Sequence, residues 1–533
     1  MAVITPQTDV YLLKVPLEID SINQLTFSNA TAQYNYFHSL PRFEVDNFTY
    51  QRKDGTIRFG AHFDDLINYN YVMYRNDAYN NKWFYAFIDG MEYLNDNVTA
   101  ISISTDVFQT WQFDLNYKRT FVEREHVNDD TIGAHTIDEG LELGDYVINS
   151  STTLKPNKIT KDANNNTINW ELPIVFQVSE LAGGVGIPAS AFESSYNNIF
   201  SGLYYFAVTS YAAARDIIHR YDGAGKGDSI IAIFLAPKEF LEGAVVYGDL
   251  GYNIYIPQDQ GYASTLLEAT TINRPSKVNG YTPKNNKLFV YPFSYVYVSN
   301  NAGIDTTFRY EDFDNATPKF YMGGALGQGC TTKLCPVSFK SYTTNAEVFE
   351  YGVVGAKYPI CAWSSDYYTN WVTQNAVNVG VSLASTALGA GINASYGNYA
   401  GVATNLLSGI GGVLNQHYQA QVHPDQAKGN TNSSDILVGW VRYFTVDCMS
   451  IRAEVARTID DFFSMFGYKV SRVKIPNITG RRNWNYVKTI GCYIEADIPQ
   501  DDLQQIKSMF DKGITLWHNP STFLDYSQTN DII

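Results

Sequence analysis

A chain of 533 residues is too long for one hydrophobic core, so roughly two to four domains are expected. Its 38 basic residues against 54 acidic ones leave a net charge of −16, which argues against a protein that grips duplex DNA, since phosphate contacts require clustered Lys and Arg. An aromatic content of 15%, with 40 Tyr and 30 Phe, favours strands over helices; the expected fold is mainly β with α+β parts, spread over several domains.

The N-terminal sequence MAVITPQTDVYLLKVP lacks a basic head, a continuous apolar stretch and a cleavage site, so no secretory signal is expected and the chain is read as made in a cytoplasm. Up to about residue 150, short aromatic runs alternate with Asn, Asp and Gly. The segment NKWFYAFIDGMEYLNDNVTAISISTDVFQTWQFDL, Asn81 to Leu115, predicts a hairpin or meander turning at Asp89-Gly90 and at Asn95-Asp96-Asn97. Within it, Ala100 to Trp111 reads as sheet with one wet face, because Ile101 and Ile103 alternate with Ser102 and Ser104. Polar, Asn-rich Ser151 to Asn169 marks a candidate boundary.

From 170 to about 350 strands are mixed with one helix, predicted from the Ser210 cap to Tyr221, before Gly223. The GAGKGDS that follows is no phosphate loop: Arg220 and Gly227 stand where a Walker loop needs Gly and Ser or Thr. MGGALGQG, Met322 to Gly329, likewise lacks the spacing of a dinucleotide fingerprint and is read as a glycine turn between strands. Near the C-terminus, Ile451, Val455, Ile459, Phe462, Phe463 and Phe466 recur at helical spacing and Gly467 offers a left-handed stop. A second helix begins after Pro499 with Asp501 and Asp502 in its first turn and ends at Lys512-Gly513. YKVSRVKIPN and WNYVKTIGCYIEADI, between the two helices, read as strands. The expected domains are 1–150, 151–365, a charge-free segment 366–428, and 429–533.

Catalytic chemistry leaves little trace. The eight histidines stand in no HExxH or HxxxH pattern, no GxSxG elbow occurs, and the five cysteines are scattered without a CxxC pair, so isolated buried thiols are expected. The doublets Asp64-Asp65, Asp129-Asp130, Asp460-Asp461 and Asp501-Asp502 are no glycosidase pair, because adjacent residues point in different directions. Asp312 to Asn315 lacks the Gly and closing Glu of a calcium loop and reads as a solvated turn. No enzyme, no metal and no cofactor are expected.

One segment resists an ordinary reading. Tyr367 to Pro424, fifty-eight residues between Asp366 and Asp425, contains no Asp, Glu, Lys or Arg, where the chain average would place about ten. Two apolar arms flank the turn Asn393 to Asn398: 379–392 with Val379, Val381, Leu383, Leu388 and Ile392, and 399–414 with Val402, Leu406, Leu407, Ile410, Val413 and Leu414. As helices the arms would reach about 21 to 24 Å, short of the roughly 30 Å hydrocarbon core. A buried core hairpin and a sheltered loop later delivered to a membrane are the two readings.

The quoted segment Asn81 to Leu115, FVEREHV (Phe121 to Val127), TIDEGL (Thr136 to Leu141), FFSMFGYKVSRVKIPN (Phe462 to Asn477), RRNWNYVKT and DLQQIKSMFDKGITLWH (Asp502 to His518) together resemble the tail knob proteins of Picovirinae-type short-tailed phages of Gram-positive bacteria. The resemblance implies a virion protein of the distal tail and a homo-hexameric, β-barrel-like tube whose wall the two terminal regions build, with a central knob insertion. It implies that an apolar loop, here Trp371 to Pro424, plugs the channel until ejection and then helps to breach the host membrane. Implied partners are other tail and collar proteins, genomic DNA passing without sequence-specific binding, and host membrane lipid. A receptor-binding or polysaccharide-degrading tail protein and a pore-forming toxin are the competing readings.

Overall fold

The computed structural model describes residues 8–46, 55–187, 195–196, 199–200, 203–224, 226–257, 264–326, 331–342, 349–361, 363–364, 427–428 and 443–533. Two compact units result. The first is assembled from three stretches of chain, 1–144, 281–288 and 453–533; the second comprises 145–280 and 289–452. Sheets dominate both, the mainly β architecture with helical parts that the aromatic content predicts.

In the first unit the strands Arg42–Val45, Thr8–Leu13, Tyr71–Asn76, Trp83–Asn95, Val98–Thr105 and Thr56–Phe59 form, in that order, a six-stranded antiparallel sheet. Its central strands read as nearly unbroken apolar runs because both faces are covered. Leu13, Tyr71, Met73, Tyr85 and Phe87 enter one core, while Val10, Leu12, Val72, Tyr74 and Phe84 enter another. Phe37, from the helix Ala30–Ser39, fills the first core and stacks on Tyr71 at 5.6 Å between ring centroids. Asn29 caps that helix by accepting from Ala32 N at 2.9 Å. Trp484 and Trp517 close the same core from the C-terminal stretch, so a residue near position 40 and one near 517 share one apolar interior.

A five-stranded sheet completes this unit, in the order Asn23–Leu25, Ile514–Trp517, Trp484–Ile490, Thr120–Glu125, Tyr468–Lys474, with only the first pair parallel. The helix Gln500–Lys512 turns Leu503, Ile506 and Phe510 inward onto Val487, Ile514 and Leu516. The helix Ala453–Phe466 buries Ala456, Ile459, Asp460 and Phe463. Ile451, expected at its start, instead ends the strand Phe444–Ile451.

The second unit contains the four-stranded sheet Tyr146–Leu154, Phe444–Ile451, Ser294–Ser299, Asp305–Phe308, a six-stranded sheet, and a second four-stranded sheet built from Ser264–Thr271, Lys319–Gly324, Thr331–Pro336 and Val353–Lys357. Its helix Tyr211–Gly223 has the expected cap, Ser210 Oγ accepting from Ala213 N at 3.1 Å, and runs two residues further than predicted. Met322 to Gly324, read as part of a turn, belong to a strand; residues 327–330 lie outside the described set. Cys335, Cys448 and Cys492 are buried and Cys361 is partly buried, all as free thiols.

Two other expectations are corrected. Asp89-Gly90 is no turn: Trp83–Asn95 is a single strand, and the register slips between Ile88 and Gly90, so the extra residue is absorbed as a bulge. The hairpin reverses only at Asp96-Asn97. Likewise the sheet read over Ala100 to Trp111 ends at Thr105, because Asp106 caps the short helix Val107–Trp111, accepting from Gln109 N at 3.0 Å. In the sequence its carboxylate looks like one more polar residue of an alternating strand.

Gly467 ends its helix with φ +66°, and a Cβ there would lie 2.1 Å from the Glu125 carbonyl oxygen. Gly467→Ala combines left-handed strain with a clash against the backbone of a neighbouring strand, so a loss of about 2 kcal/mol or more is expected in equilibrium urea denaturation. Gly90→Ala, where a Cβ meets nothing within 4 Å, is expected to stay within about 0.5 kcal/mol of the parent.

Candidate functional site: a buried ionic junction

The residues singled out as the loop, Val379, Val381, Leu383, Leu388, Ile392, Val402, Leu406, Leu407, Ile410, Val413 and Leu414, lie outside the described residues, as does the rest of the charge-free window. Among the described residues no helix is long and apolar enough to cross a membrane, and no group of three His, Cys, Asp or Glu side chains is placed to hold a metal ion. A cluster of buried charged and polar groups joins the three stretches of the first unit.

Glu139 is its centre. Its side chain is 1% exposed and forms ion pairs with Lys287, also 1% exposed, and with Arg124. It accepts from Lys469 N at 3.0 Å. Lys287 Nζ donates to the Ile137 carbonyl at 2.8 Å, and Arg124 Nη1 donates to the Gly467 carbonyl at 2.7 Å. Aromatic rings wall in the charges: Lys287 Nζ lies 5.3 Å from the centroid of Tyr468, and the Arg124 guanidinium 4.7 Å from that of Phe462. Burial pushes the Lys287 ammonium below its ordinary value, and Glu139 acts against that shift. One carboxylate thus ties the N-terminal stretch, the 281–288 stretch and the C-terminal stretch together.

Asp460 performs a parallel task from the buried face of the helix Ala453–Phe466. Its carboxylate accepts from Tyr281 Oη at 2.7 Å, Lys284 N at 2.7 Å, Asn285 N at 3.0 Å and Asn285 Nδ2 at 2.8 Å. Asp130 accepts from Asn286 N at 2.9 Å and from Tyr468 Oη at 2.5 Å, and burial raises its carboxyl above the usual range. Glu125, fully buried, accepts from Asn477 N at 2.7 Å and pairs with Lys474. These groups hold chain segments in place, and the arrangement has the chemistry of a clamp.

Two of the doublets dismissed as catalytic, Asp129-Asp130 and Asp460-Asp461, therefore each contribute one residue to this junction, while Asp65 lies in the first turn of the short helix Phe63–Leu66. Sequence reasoning missed Glu139 and Lys287 altogether. Asp460 did leave a signal, because a carboxylate at that position interrupts the apolar face formed by Ala456, Ile459 and Phe463.

Two histidines next to the junction are held neutral. His126 donates from Nε2 to the Ser464 carbonyl at 3.1 Å, while Nδ1 accepts from Tyr486 N at 2.8 Å. Protonating Nδ1 would set two donors against each other. Burial first, and the Arg481 guanidinium second, lower the His126 pKa to about 3; burial lowers His518 to about 4. Asp106 works in the opposite sense, raised by burial to about 6.

Replacing Lys287 by Met leaves the Glu139 carboxylate buried with one cation fewer, and a loss of about 3 kcal/mol or more is expected in urea denaturation. Changing Glu139 to Leu in the same chain should recover part of that loss. For His126 the sign is fixed by a folded pKa below the unfolded value of about 6.5: as pH falls below that value the unfolded chain takes up a proton that the folded chain refuses. Its contribution therefore declines by about 1.4 kcal/mol per pH unit until the folded pKa is reached. Stability measured between pH 6 and pH 4 should accordingly fall more steeply in the parent than in His126→Asn by about that slope, the Asp106 contribution being common to both.

Comparison with known proteins gives this architecture its relatives. The family model described as Bacillus phage phi29, Tail knob protein gp9, C-terminal domain, matches residues 260–531, and that of the caudoviral major tail protein N-terminus matches 6–116. The tail knob protein gp9 of Bacillus phage phi29 is 27% identical, with 98% of each chain covered. Those of Bacillus phages PZA and B103 are also 27% identical over 98% of each chain. The phi29 alignment runs to 598 positions, more than the 533 residues here, so that relative carries stretches without a counterpart in this chain. Among solved structures, the bacteriophage C1 tail knob protein gp12 superposes with a TM-score of 0.66 at 14% identity, covering 99% of this chain and 100% of that one. The chain belongs to the phage tail knob protein family of phi29 gp9, and is a structural component of the distal tail of a virion.

Proposed function

We propose that this tail knob protein assembles as a homo-hexamer around a channel for genome ejection, and that its charge-free segment plugs the channel until it is released to help penetrate the host membrane. In this reading the first unit provides tube wall and the second unit the knob. The wall meets other tail and collar proteins, and genomic DNA passes along it without sequence-specific contacts. No catalytic step belongs to this role.

The observation that carries the reading is the run of fifty-eight residues, Tyr367 to Pro424, without a single charged side chain in a chain of net charge −16. Such a segment offers passing phosphates no ionic hold, and it enters an apolar medium without desolvating a charge, each of which would cost several kcal/mol. Its Gly, Ala, Ser and Asn content departs from the Leu and Ile of an ordinary buried hairpin and resembles the small-residue contacts of membrane helices. The acidic balance supports the channel reading, since fixed positive charge would bind DNA by counterion release. A lumen lined by acidic and neutral residues follows.

Purified protein is expected to release dye from liposomes on acidification, and a chain lacking Gly380 to Leu414 is expected to release none while keeping the parent's circular dichroism and assembly state. Undiminished leakage from the deleted chain would remove the membrane role. A particle reconstruction with a basic lumen would remove the channel reading.

A further inference from the structure

The five-stranded sheet of the first unit carries apolar side chains where water should be. Val473, Phe121 and Ile490 are cross-strand partners in one row, Val473 opposite Phe121 and Phe121 opposite Ile490. All three point away from the core side of the sheet, with Val473 61% and Ile490 58% exposed. Ile475, just beyond the end of the outermost strand Tyr468–Lys474, is exposed as well. Among the described residues that strand pairs only with Thr120–Glu125. A row of exposed apolar side chains that runs out to a sheet edge is a template for association unless something covers it. Exposed Arg472 on the edge strand and exposed Arg119 at the start of its neighbour give this end of the sheet a basic rim.

The opposite end has the complementary character. The loop leading into the other outermost strand, Asn23–Leu25, exposes Ile19, at 63%, and Ile22, with the exposed carboxylates of Glu18 and Asp20 beside them. The loop is not slack: Ile22 N donates to Asp20 Oδ1 at 3.1 Å, and the Ile22 carbonyl accepts from Thr515 N of the adjoining strand at 2.8 Å. Each end of the sheet therefore presents exposed apolar residues and a pair of like charges, with the sign reversed between the ends.

From this we infer that the two ends are the halves of one head-to-tail contact: the Arg119–Arg472 end of one copy docks on the Glu18–Asp20 end of the next. A contact between different patches of identical chains is heterologous, and it closes into a ring when the rotation per copy permits. The covering partner is a second copy of this chain because the same molecule carries the matching charges and apolar residues at the far end of the same sheet. The inference rests on the homo-hexamer reading and assigns residues to its interface. Opposite charge sets register and partner choice, and burial of the apolar row supplies the affinity.

Charge reversal tests it. The full chain, Glu18→Arg/Asp20→Arg, Arg119→Glu/Arg472→Glu and the fourfold variant are compared by light scattering and native mass spectrometry over a range of concentrations and salt. Each reversed pair should raise the concentration needed for assembly at least about tenfold, since like charges then face each other. The fourfold variant, and an equimolar mixture of the two double variants, should assemble like the parent, because opposite signs meet again at each contact. All substituted residues are exposed, so unchanged circular dichroism and melting temperature separate a lost interface from a lost fold. If the parent forms closed oligomers that both reversals leave intact, the contact lies elsewhere and this inference falls while the hexamer reading stands. If the parent remains monomeric at all concentrations, the assembly reading falls and takes the inference with it.

Discussion

Glu139 imposes the constraint on which the first unit depends. A carboxylate withdrawn from water costs several kcal/mol unless its lone pairs are satisfied, and here they are satisfied by a guanidinium fifteen residues upstream, an ammonium from the 281–288 stretch and a backbone amide at position 469. The three stretches must arrive together, since any two without the third leave a buried charge short of partners. The Asp460 carboxylate repeats the arrangement a few residues away, spending its acceptors on the short stretch that the chain sends into this unit between residues 281 and 288. Hydrophobic burial provides the bulk of the stability, as it does in any domain of this size. The ionic junction supplies what apolar packing cannot, a requirement for one arrangement of segments.

Legibility in the sequence differs from element to element. Helices announced themselves where local chemistry is sufficient: Ser210 and Pro499 begin them, and Gly467 and Gly513 end them with positive φ. The Asp96-Asn97 turn was legible for the same reason. Gly90 and Asp106 were misread because their roles are set by neighbours. Gly90 becomes a bulge only because Val98–Thr105 pairs beside it, and Asp106 becomes a cap whose carboxylate also receives the Tyr71 hydroxyl at 2.9 Å, thirty-five residues away in sequence. Strand partners such as Val473 and Phe121 are separated by more than three hundred positions, and no periodicity along the chain encodes such a pairing. The junction was invisible for a further reason, since a carboxylate, a guanidinium and an ammonium look like ordinary surface residues until the fold withdraws them from solvent.

Composition and patterning nonetheless pointed to the right class. The aromatic richness that predicts sheet is spent on stacked and edge-on rings inside the first unit, where Phe37, Tyr71, Tyr85, Trp484 and Trp517 occupy one core. The absence of a convergent catalytic pattern and the likeness of both terminal regions to tail knob proteins led to a structural virion protein, and full-length relatives in three Bacillus phages agree with that family. The described polar groups fix position: charges lock segments, caps fix helix ends, and the exposed side chains at the two ends of one sheet differ in sign.

The order in which the ribosome releases these segments adds a temporal consequence. Phe37 and Trp517 share a core although 480 residues separate them, so the N-terminal sheet emerges first and waits, its apolar face uncovered, while more than three hundred further residues are synthesised. The second unit, complete once the strand Phe444–Ile451 has emerged, is free to fold in the interval. The last eighty-one residues then act as a latch, and the closure entropy of so long a loop falls on a step that begins only near the end of translation. A nascent chain of this design has a prolonged window of vulnerability to aggregation, in which slow elongation lengthens the exposure of that first sheet and chaperone shielding offsets it.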